Sequence, residues 1–311
     1  PALCERDYDA VIASSTYPID AIPARWIANR CGAKFVFELH DLWPLSPMEL
    51  GGYSCRHPFI RLMQFGEDYY CRHADGVVSL LPCTNQYLMS RGLDSKKWAY
   101  VPNGIVLDAW NNQTDLNPET RRALDAIRAQ GKLVLGYTGA LGPANAMETF
   151  VDVGKEVLDE ANLVIFGHGP DKEALQQRAA AAGSSNIYFF NSVPKPMIPS
   201  VLAMFDAAYL GTHRSKLYQF GVSPNKLFDY MMAGTPFIEA LDAGNSFAKE
   251  SGGGLSIAPA DQAALANAIR QLASMPDAEL SSMGDRGRKF VIANHDYVTL
   301  AKRFLDALQR N

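Results

Sequence analysis

The sequence predicts an α/β protein built from two Rossmann-like domains with parallel sheets, and three observations support that expectation. Short apolar runs of strand length alternate with helical stretches over residues 10–101, and a second alternation begins at residue 133. Strands that alternate with helices pair in parallel, because each crossover helix returns the chain to the same end of the sheet. A polar stretch at 105–118, with Asn111, Asn112 and Pro118, separates the two series. The chain is also large enough: 311 residues with 48% apolar side chains can bury two ordinary cores.

In the first series, Ala10–Ser14 reads as a short buried strand, Ser15–Tyr17 as a loop and Pro18–Arg30 as an amphipathic helix. Lys34–Leu39 is the next strand and runs into His40-Asp41-Leu42-Trp43-Pro44. Pro58–His73 is a helix, Gly76–Leu80 a strand, Cys83–Arg91 a helix and Trp98–Val101 a strand that ends at Pro102-Asn103-Gly104. In the second series the expected strands are Leu133–Tyr137, Leu163–Phe166, Ile187–Phe190, Ala207–Leu210 and Pro236–Ile238. Helices fall near 145–158, 171–182, 196–205 and 224–233, and residues 261–274 and 277–310 are mainly helical. The last piece, Tyr297 to Gln309, has an apolar stripe of Leu300, Phe304, Leu305 and Leu308.

Composition narrows the function. A net charge of −4, spread evenly over both halves, argues against a nucleic-acid partner. No apolar run approaches the roughly 20 residues of a membrane span. Five cysteines, odd in number and irregularly spaced, suit a reducing compartment. Cys55-Arg56-His57 recurs as Cys71-Arg72-His73, which offers four soft ligands. Cys71 and His73, however, sit two apart on a helix and point to different faces. The chain opens with Pro in a polar lead-in and reads as one whose true beginning is missing.

The most informative stretch is Phe220-Gly221-Val222-Ser223-Pro224-Asn225-Lys226-Leu227-Phe228-Asp229-Tyr230-Met231-Met232-Ala233-Gly234-Thr235-Pro236-Phe237-Ile238. It reads as loop, helix and buried strand. Ser223 suits the N-cap and Pro224 the first helical position; Gly234 suits the stop. Free N–H groups, a hydroxyl, the Asn225 amide and the Lys226 ammonium in one turn make a good anion site. Asp229 lies one turn further on and can face the same ligand, with diphosphate at the helix tip and sugar hydroxyls on the carboxylate. The same pattern also suits an ordinary capped helix in which Lys226 and Asp229 pair on the surface.

This stretch resembles the donor-binding motif of GT-B glycosyltransferases of family 4, in the form S-P-N-K-L-F-[DE]-Y-M-x-A-G-x-P. That form is typical of bacterial O-antigen and capsule enzymes such as the N-acetylfucosamine transferases. Further matches run along the chain. Glu38–Pro44 resembles a strand ending in a D-L-W-P turn, Phe65–Val77 an E-x2-Y-x3-A-D segment, and Val101–Gly104 the V-P-N-G before the hinge. Ile165–Pro170 resembles the G-x-G-P turn and Gly284–Val291 the G-x-x-G-R-x-x-V tail. The resemblance implies a GT-B fold with an acceptor-side domain over 1–104, incomplete at its start, and a linker over 105–118. A nucleotide-sugar domain over 119–294 follows, then a helix over 295–311 that crosses back to the first domain. It also implies that the helix N-terminus holds the diphosphate and that Asp229 binds the ribose.

Ligands of parallel sheets bind beyond the carboxyl ends of the strands. Three loops lie there: Gly139-Ala140-Leu141-Gly142, Gly167-His168-Gly169 and Asn191-Ser192-Val193-Pro194, the last framing a flat nucleobase. The expected donor-binding residues are Gly139, Gly142, Gly167, Val193, Arg214, Ser223, Asn225, Lys226 and Asp229; His40 and Lys226 are the expected catalytic pair. A histidine at the position of His40 touches the donor sugar in the resembled family, although a lone His at a strand end is also an ordinary loop residue. Glu67 and Asp75 read as structural.

The sequence departs from the broader family twice. Ala140 to Met147 holds no base, so diphosphate neutralisation falls to Lys226, with Arg214 or Lys216 as further candidates. The first acidic residue of the family's E-x7-E pair would fall at Gly221, whose contacts would pass to backbone N–H groups of 220–223. Asp7-Tyr8-Asp9 imitates a metal motif but precedes its strand at the wrong end of the sheet, so no metal and no cofactor are expected.

The resemblance implies a retaining glycosyltransferase with a UDP-linked donor and a saccharide or lipid-linked saccharide acceptor. It implies a cytoplasmic protein with peripheral contact at the inner membrane. The alternatives are a nucleotide-sugar 2-epimerase, which shares the fold, and an inactive scaffold that binds nucleotide sugar.

Overall fold

The computed structural model describes residues 8–14, 17–111 and 113–309. Cys4, Asp7 and Asn112 lie outside them, as does the start of the chain at Pro1. The first sheet holds four parallel strands in chain order: β1 (Ala10–Ser14), β2 (Lys34–Leu39), β3 (Gly76–Ser79) and β4 (Trp98–Tyr100). Its helices are α1 (Ala21–Cys31), α2 (Leu45–Gly51), α3 (Pro58–His73) and α4 (Asn85–Ser90). The two central strands are buried on both faces, which is why Phe35, Val36, Phe37, Leu39, Val77 and Val78 read as apolar runs rather than alternations. Glu67 of α3 is buried and accepts hydrogen bonds from Tyr87 and Gln64; burial pushes its carboxyl up to about 7. Asp75 accepts from the Phe35 N–H.

The structure differs from the sequence expectation at several elements. A 3-10 turn, Pro18–Asp20, takes the place of the first residues of the expected Pro18–Arg30 helix. α2 was not expected, because it buries none of its residues and so shows no apolar stripe. His57 caps α3 through Nδ1, and Cys71 is buried in the core while Cys55 is exposed, so the repeated Cys-Arg-His does not converge.

The second sheet is reached through α5 (Pro118–Arg128), another unexpected helix, capped by Asn117 and dense in charge with only Leu124 and Ile127 buried. The sheet contains β5 (Leu133–Ala140), β6 (Ala161–His168), β7 (Ile187–Phe190), β8 (Ala207–Gly211), β9 (Phe237–Ala240) and β10 (Gly254–Ile257). Its helices are α6 (Met147–Asp152), α7 (Lys172–Ala182), α8 (Ile198–Leu202), α9 (Asn225–Ala233), α10 (Phe247–Ser251), α11 (Gln262–Ala273) and α12 (Asp277–Asn294). The strand order is β10-β9-β8-β5-β6-β7, so the chain's direction of travel reverses between β5 and β8. That is the switch point at which open parallel sheets leave a crevice for ligands. β5 and β6 run on to Ala140 and His168, which places Gly139 and Gly167 inside the strands, paired with each other.

After α12 the chain crosses to the first sheet. Ile105 N–H donates to His295 O (2.8 Å) and Tyr297 N–H donates to Ile105 O (3.1 Å), so the two crossings are stitched together. α13 (Tyr297–Gln309) then packs Leu300 and Ala307 against Val36, Val78, Ala99 and Val101. Leu300→Ala is expected to cost about 2–5 kcal/mol, read as a lower urea midpoint. Leu305→Ala, at a half-exposed position of the same helix, should change stability by about 0.5 kcal/mol or less.

Candidate active site

α9 is tied to the end of β5 at two points. Tyr230 receives the Thr138 N–H on its hydroxyl (3.1 Å), and Lys226 Nζ donates to Tyr137 Oη (2.7 Å) and to Asn145 Oδ1 (2.7 Å). The ammonium also lies 4.4 Å from the centre of the Tyr137 ring. Tyr137 and Asn145 both donate to Ala140 O, so Lys226 is bound into the turn after β5. Gly139 is required here: its φ is +149°, and a Cβ would stand 2.9 Å from Lys226 Nζ. Two of the ammonium's three N–H donors are thus used among the described residues. Lys226 and Asp229 are not joined by an ion pair among those residues.

Ser223 does not cap the helix, contrary to the sequence expectation. α9 begins at Asn225 with Pro224 as its N-cap and no side-chain cap bond. Ser223 Oγ instead accepts from the Asn103 N–H (2.9 Å), and Ser223 O accepts from Asn103 Nδ2 (2.9 Å). The backbone donors around Gly221 are also committed elsewhere. The Gly221 N–H goes to Tyr218 O (2.9 Å) and the Val222 N–H to Asn245 Oδ1 (2.8 Å), so these two do not stand in for a missing carboxylate. Gly221 has φ +95°, and a Cβ would lie 2.4 Å from Pro82 Cδ, so a side chain is excluded where the loop meets the first domain.

His40 stands on the opposite wall. His40 directly follows β2, and its Nε2 lies 3.1 Å from Glu38 Oε2, which also accepts from Ser14 Oγ (2.6 Å). A cleft of about 480 Å³ lies between His40 and Asp41 on one side and Gly221, Ser223 and Pro224 on the other. Arg214 does not line this cleft. It is exposed in an adjoining, wider mouth of about 1170 Å³ with His213, Lys216, Pro143 and Ala144, and with Glu49 from the first domain.

The other expected residues follow the strand ends. Gly142 opens the turn Pro143–Asn145, Gly167 is buried beside Gly139, and Asn225 is exposed at the start of α9. Val193 packs partly buried after β7, in the loop that carries Lys195. Burial pushes the Asp229 carboxyl up to about 6, and the Lys195 charge pulls it down. Glu38, Tyr137, Asn145 and Asn103 were missed by the sequence reading. Only Glu38 left a signal, its two-residue spacing from His40 at a strand end.

Two Rossmann-like parallel sheets whose carboxyl ends face a shared cleft define the GT-B fold. Residues 132–275 match the family model described as glycosyl transferases group 1, and residues 2–104 match the glycosyl transferase 4-like domain. Together the two glycosyltransferase models cover most of the chain. No curated protein matches the sequence. Among solved structures, Anabaena HepE in complex with UDP-glucose is similar at 15% identity and TM-score 0.71, over 97% of this chain and 78% of that one. A glycosyltransferase from Rickettsia africae matches at 14% and 0.75, over 99% and 78%. Sucrose-phosphate synthase from Thermosynechococcus elongatus matches at 16% and 0.72, over 96% and 72%.

The half-buried ammonium has a pH signature. Desolvation lowers the Lys226 pKa from 10.5 to about 8. Between those values the unfolded chain holds the proton and the folded chain does not, so stability rises with pH through that window. Asp229 acts in the opposite sense: between 3.8 and about 6 the folded chain holds the proton, so stability falls as pH rises there. The wild-type urea midpoint is therefore expected to climb relative to that of Lys226→Met between about pH 8 and pH 10, and to stay parallel to it between about pH 6.5 and pH 7.5.

Proposed function

We propose that the chain is a retaining glycosyltransferase. It moves a sugar from a UDP-linked donor to a saccharide or lipid-linked saccharide acceptor in bacterial surface polysaccharide synthesis. The observation that carries this reading is Lys226, a desolvated ammonium in the first turn of α9, bound to the turn after β5 at the sheet's switch point. The solved complex of Anabaena HepE with UDP-glucose supports the choice of donor.

In this reading the diphosphate lies at the α9 N-terminus, beside the strand ends that carry Gly139 and Gly167 and beside Gly142, the one of the three with open space next to its backbone. Lys226 and the helix dipole supply positive potential where charge develops on the leaving oxygen. Asp229 accepts from the ribose, Val193 borders the base, and Asn225 and Arg214 flank the phosphates. His40, oriented by Glu38, meets the donor sugar from the first domain. The anomeric C–O bond breaks toward the diphosphate, and the acceptor oxygen bonds to the same face of the sugar. Its proton passes to the departing phosphate, and no metal takes part. Residues 1–104 and the helix over 295–311 serve the acceptor side, 105–118 is the linker, and 119–294 holds the donor.

No helix among the described residues is long and apolar enough to cross a membrane. The proposed setting is the cytoplasm, with peripheral contact at the inner face of a bacterial membrane that presents the lipid-linked acceptor. One observation favours a second reading, an inactive nucleotide-sugar-binding scaffold: Gly221 leaves no carboxylate at that wall of the cleft.

Turnover of a panel of UDP-sugars beside a UDP titration separates the two, since a scaffold binds without transfer. Lys226→Ala is expected to lower turnover by about a hundredfold or more while the domain stays folded. Asp229→Asn should mainly weaken UDP binding. Near-wild-type turnover in Lys226→Ala would remove α9 as the donor site.

A further inference from the structure

Both passages of the chain between the two sheets touch α9. Asn103, three residues beyond β4, gives two hydrogen bonds to Ser223, each 2.9 Å long, and its carbonyl meets His295 Nδ1 at 3.0 Å. His295 lies in the second passage and stacks on Phe228 of α9, ring centres 4.5 Å apart. From the other side Asn245 holds Val222, accepting its N–H at 2.8 Å and donating to its carbonyl at 3.1 Å. Two carboxamides therefore clamp the residues that lead into α9, one from each side. The helix makes no side-chain cap bond of its own at Pro224, so its entry is set by this clamp.

We infer that Asn103 is a positioning residue for sugar transfer: its bonds to Ser223 set the first turn of α9, and with it Lys226, against the wall that carries His40. This rests on the donor-site reading above. Closure of the two domains and placement of the ammonium become one event, because the residue that leaves the first sheet also holds the helix entry. Hydrogen bonds between neutral groups add little to stability, whereas misplacing reacting groups by an ångström lowers rates by about a hundredfold. A positioning role therefore shows in turnover before it shows in folding.

Cys83 reports on the same contact without substrate. Its N–H donates to Phe220 O (3.0 Å) and its thiol lies 3.5 Å from Gly244 O, so second-domain loops partly shield it where the domains meet.

The test compares wild type with Asn103→Ala and Asn103→Asp, both of which lose the Nδ2 donor and keep the backbone N–H. UDP-sugar turnover, UDP titration, thermal melting and Cys83 alkylation by iodoacetamide, followed by peptide mass, are measured on each. The expected result is kcat lower by about tenfold or more, donor KM and UDP Kd within about threefold, an unchanged melting curve and faster alkylation of Cys83. Wild-type kcat with wild-type Cys83 protection overturns the inference. A fall in kcat that merely follows lost UDP binding or lost stability overturns it as well. If the wild-type protein neither binds UDP nor turns over any UDP-sugar, the donor-site reading fails by itself. The clamp is then judged on Cys83 alone, and unchanged protection sinks it.

Discussion

The interaction on which the site depends is the attachment of one ammonium to the Tyr137 hydroxyl and the Asn145 carboxamide over a strand end without a side chain. Lys226 could have swung into solvent, as most lysines do. It is held because Gly139 leaves room for Nζ and because Tyr137 and Asn145 both anchor on Ala140 O. Partial burial makes the charge costly, which lowers the ammonium's pKa to about 8. A neighbouring arginine or lysine in the turn after β5 would have repelled this ammonium. Ala140 to Met147 holds no base, so no second cation from that turn stands beside the half-buried Lys226.

Much of the fold was legible because both central strand sets are buried on two faces and show up as apolar runs of the right length. The elements that escaped are those whose residues make little core. α2 is half-exposed and without an apolar stripe, α5 is dense in charge, and β10 is an edge strand of Gly-Leu-Ser-Ile with a partly exposed pattern. Helix ends were misjudged where a 3-10 turn intervenes, as at Pro18–Asp20. None of these moves the cleft, which opens at the ends of β8 and β9, where Leu210, Thr212 and Leu241 line it.

Of the motif around α9, Gly221, Ser223 and Pro224 line the cleft while Asn225, Lys226 and Asp229 do not, and the motif gave no sign of its residues' partners. Ser223 has the residue type and place of an N-cap, and only the approach of Asn103 from 120 residues away claims its hydroxyl. Gly221 looked like a lost acidic residue. In the fold it is a contact point with Pro82, where the loop passes too close for any side chain. Side chains that reach across domains, such as Asn103 and Cys83, leave no periodic trace, because their partners are set by how two separate sheets meet.

The helix that covers the first sheet, α13, follows the whole second domain in sequence. Val36, Val78, Ala99 and Val101 lie within the first third of the sequence, yet Leu300 and Ala307 cover them. During synthesis that apolar sheet face is made early and stays without its cover until α13 has left the ribosome, after the whole second domain. The two domains therefore do not mature in the order in which they are translated. The second can close on itself first, and the first finishes only when the chain returns, so the passage through Asn103 and His295 forms among the last contacts of folding.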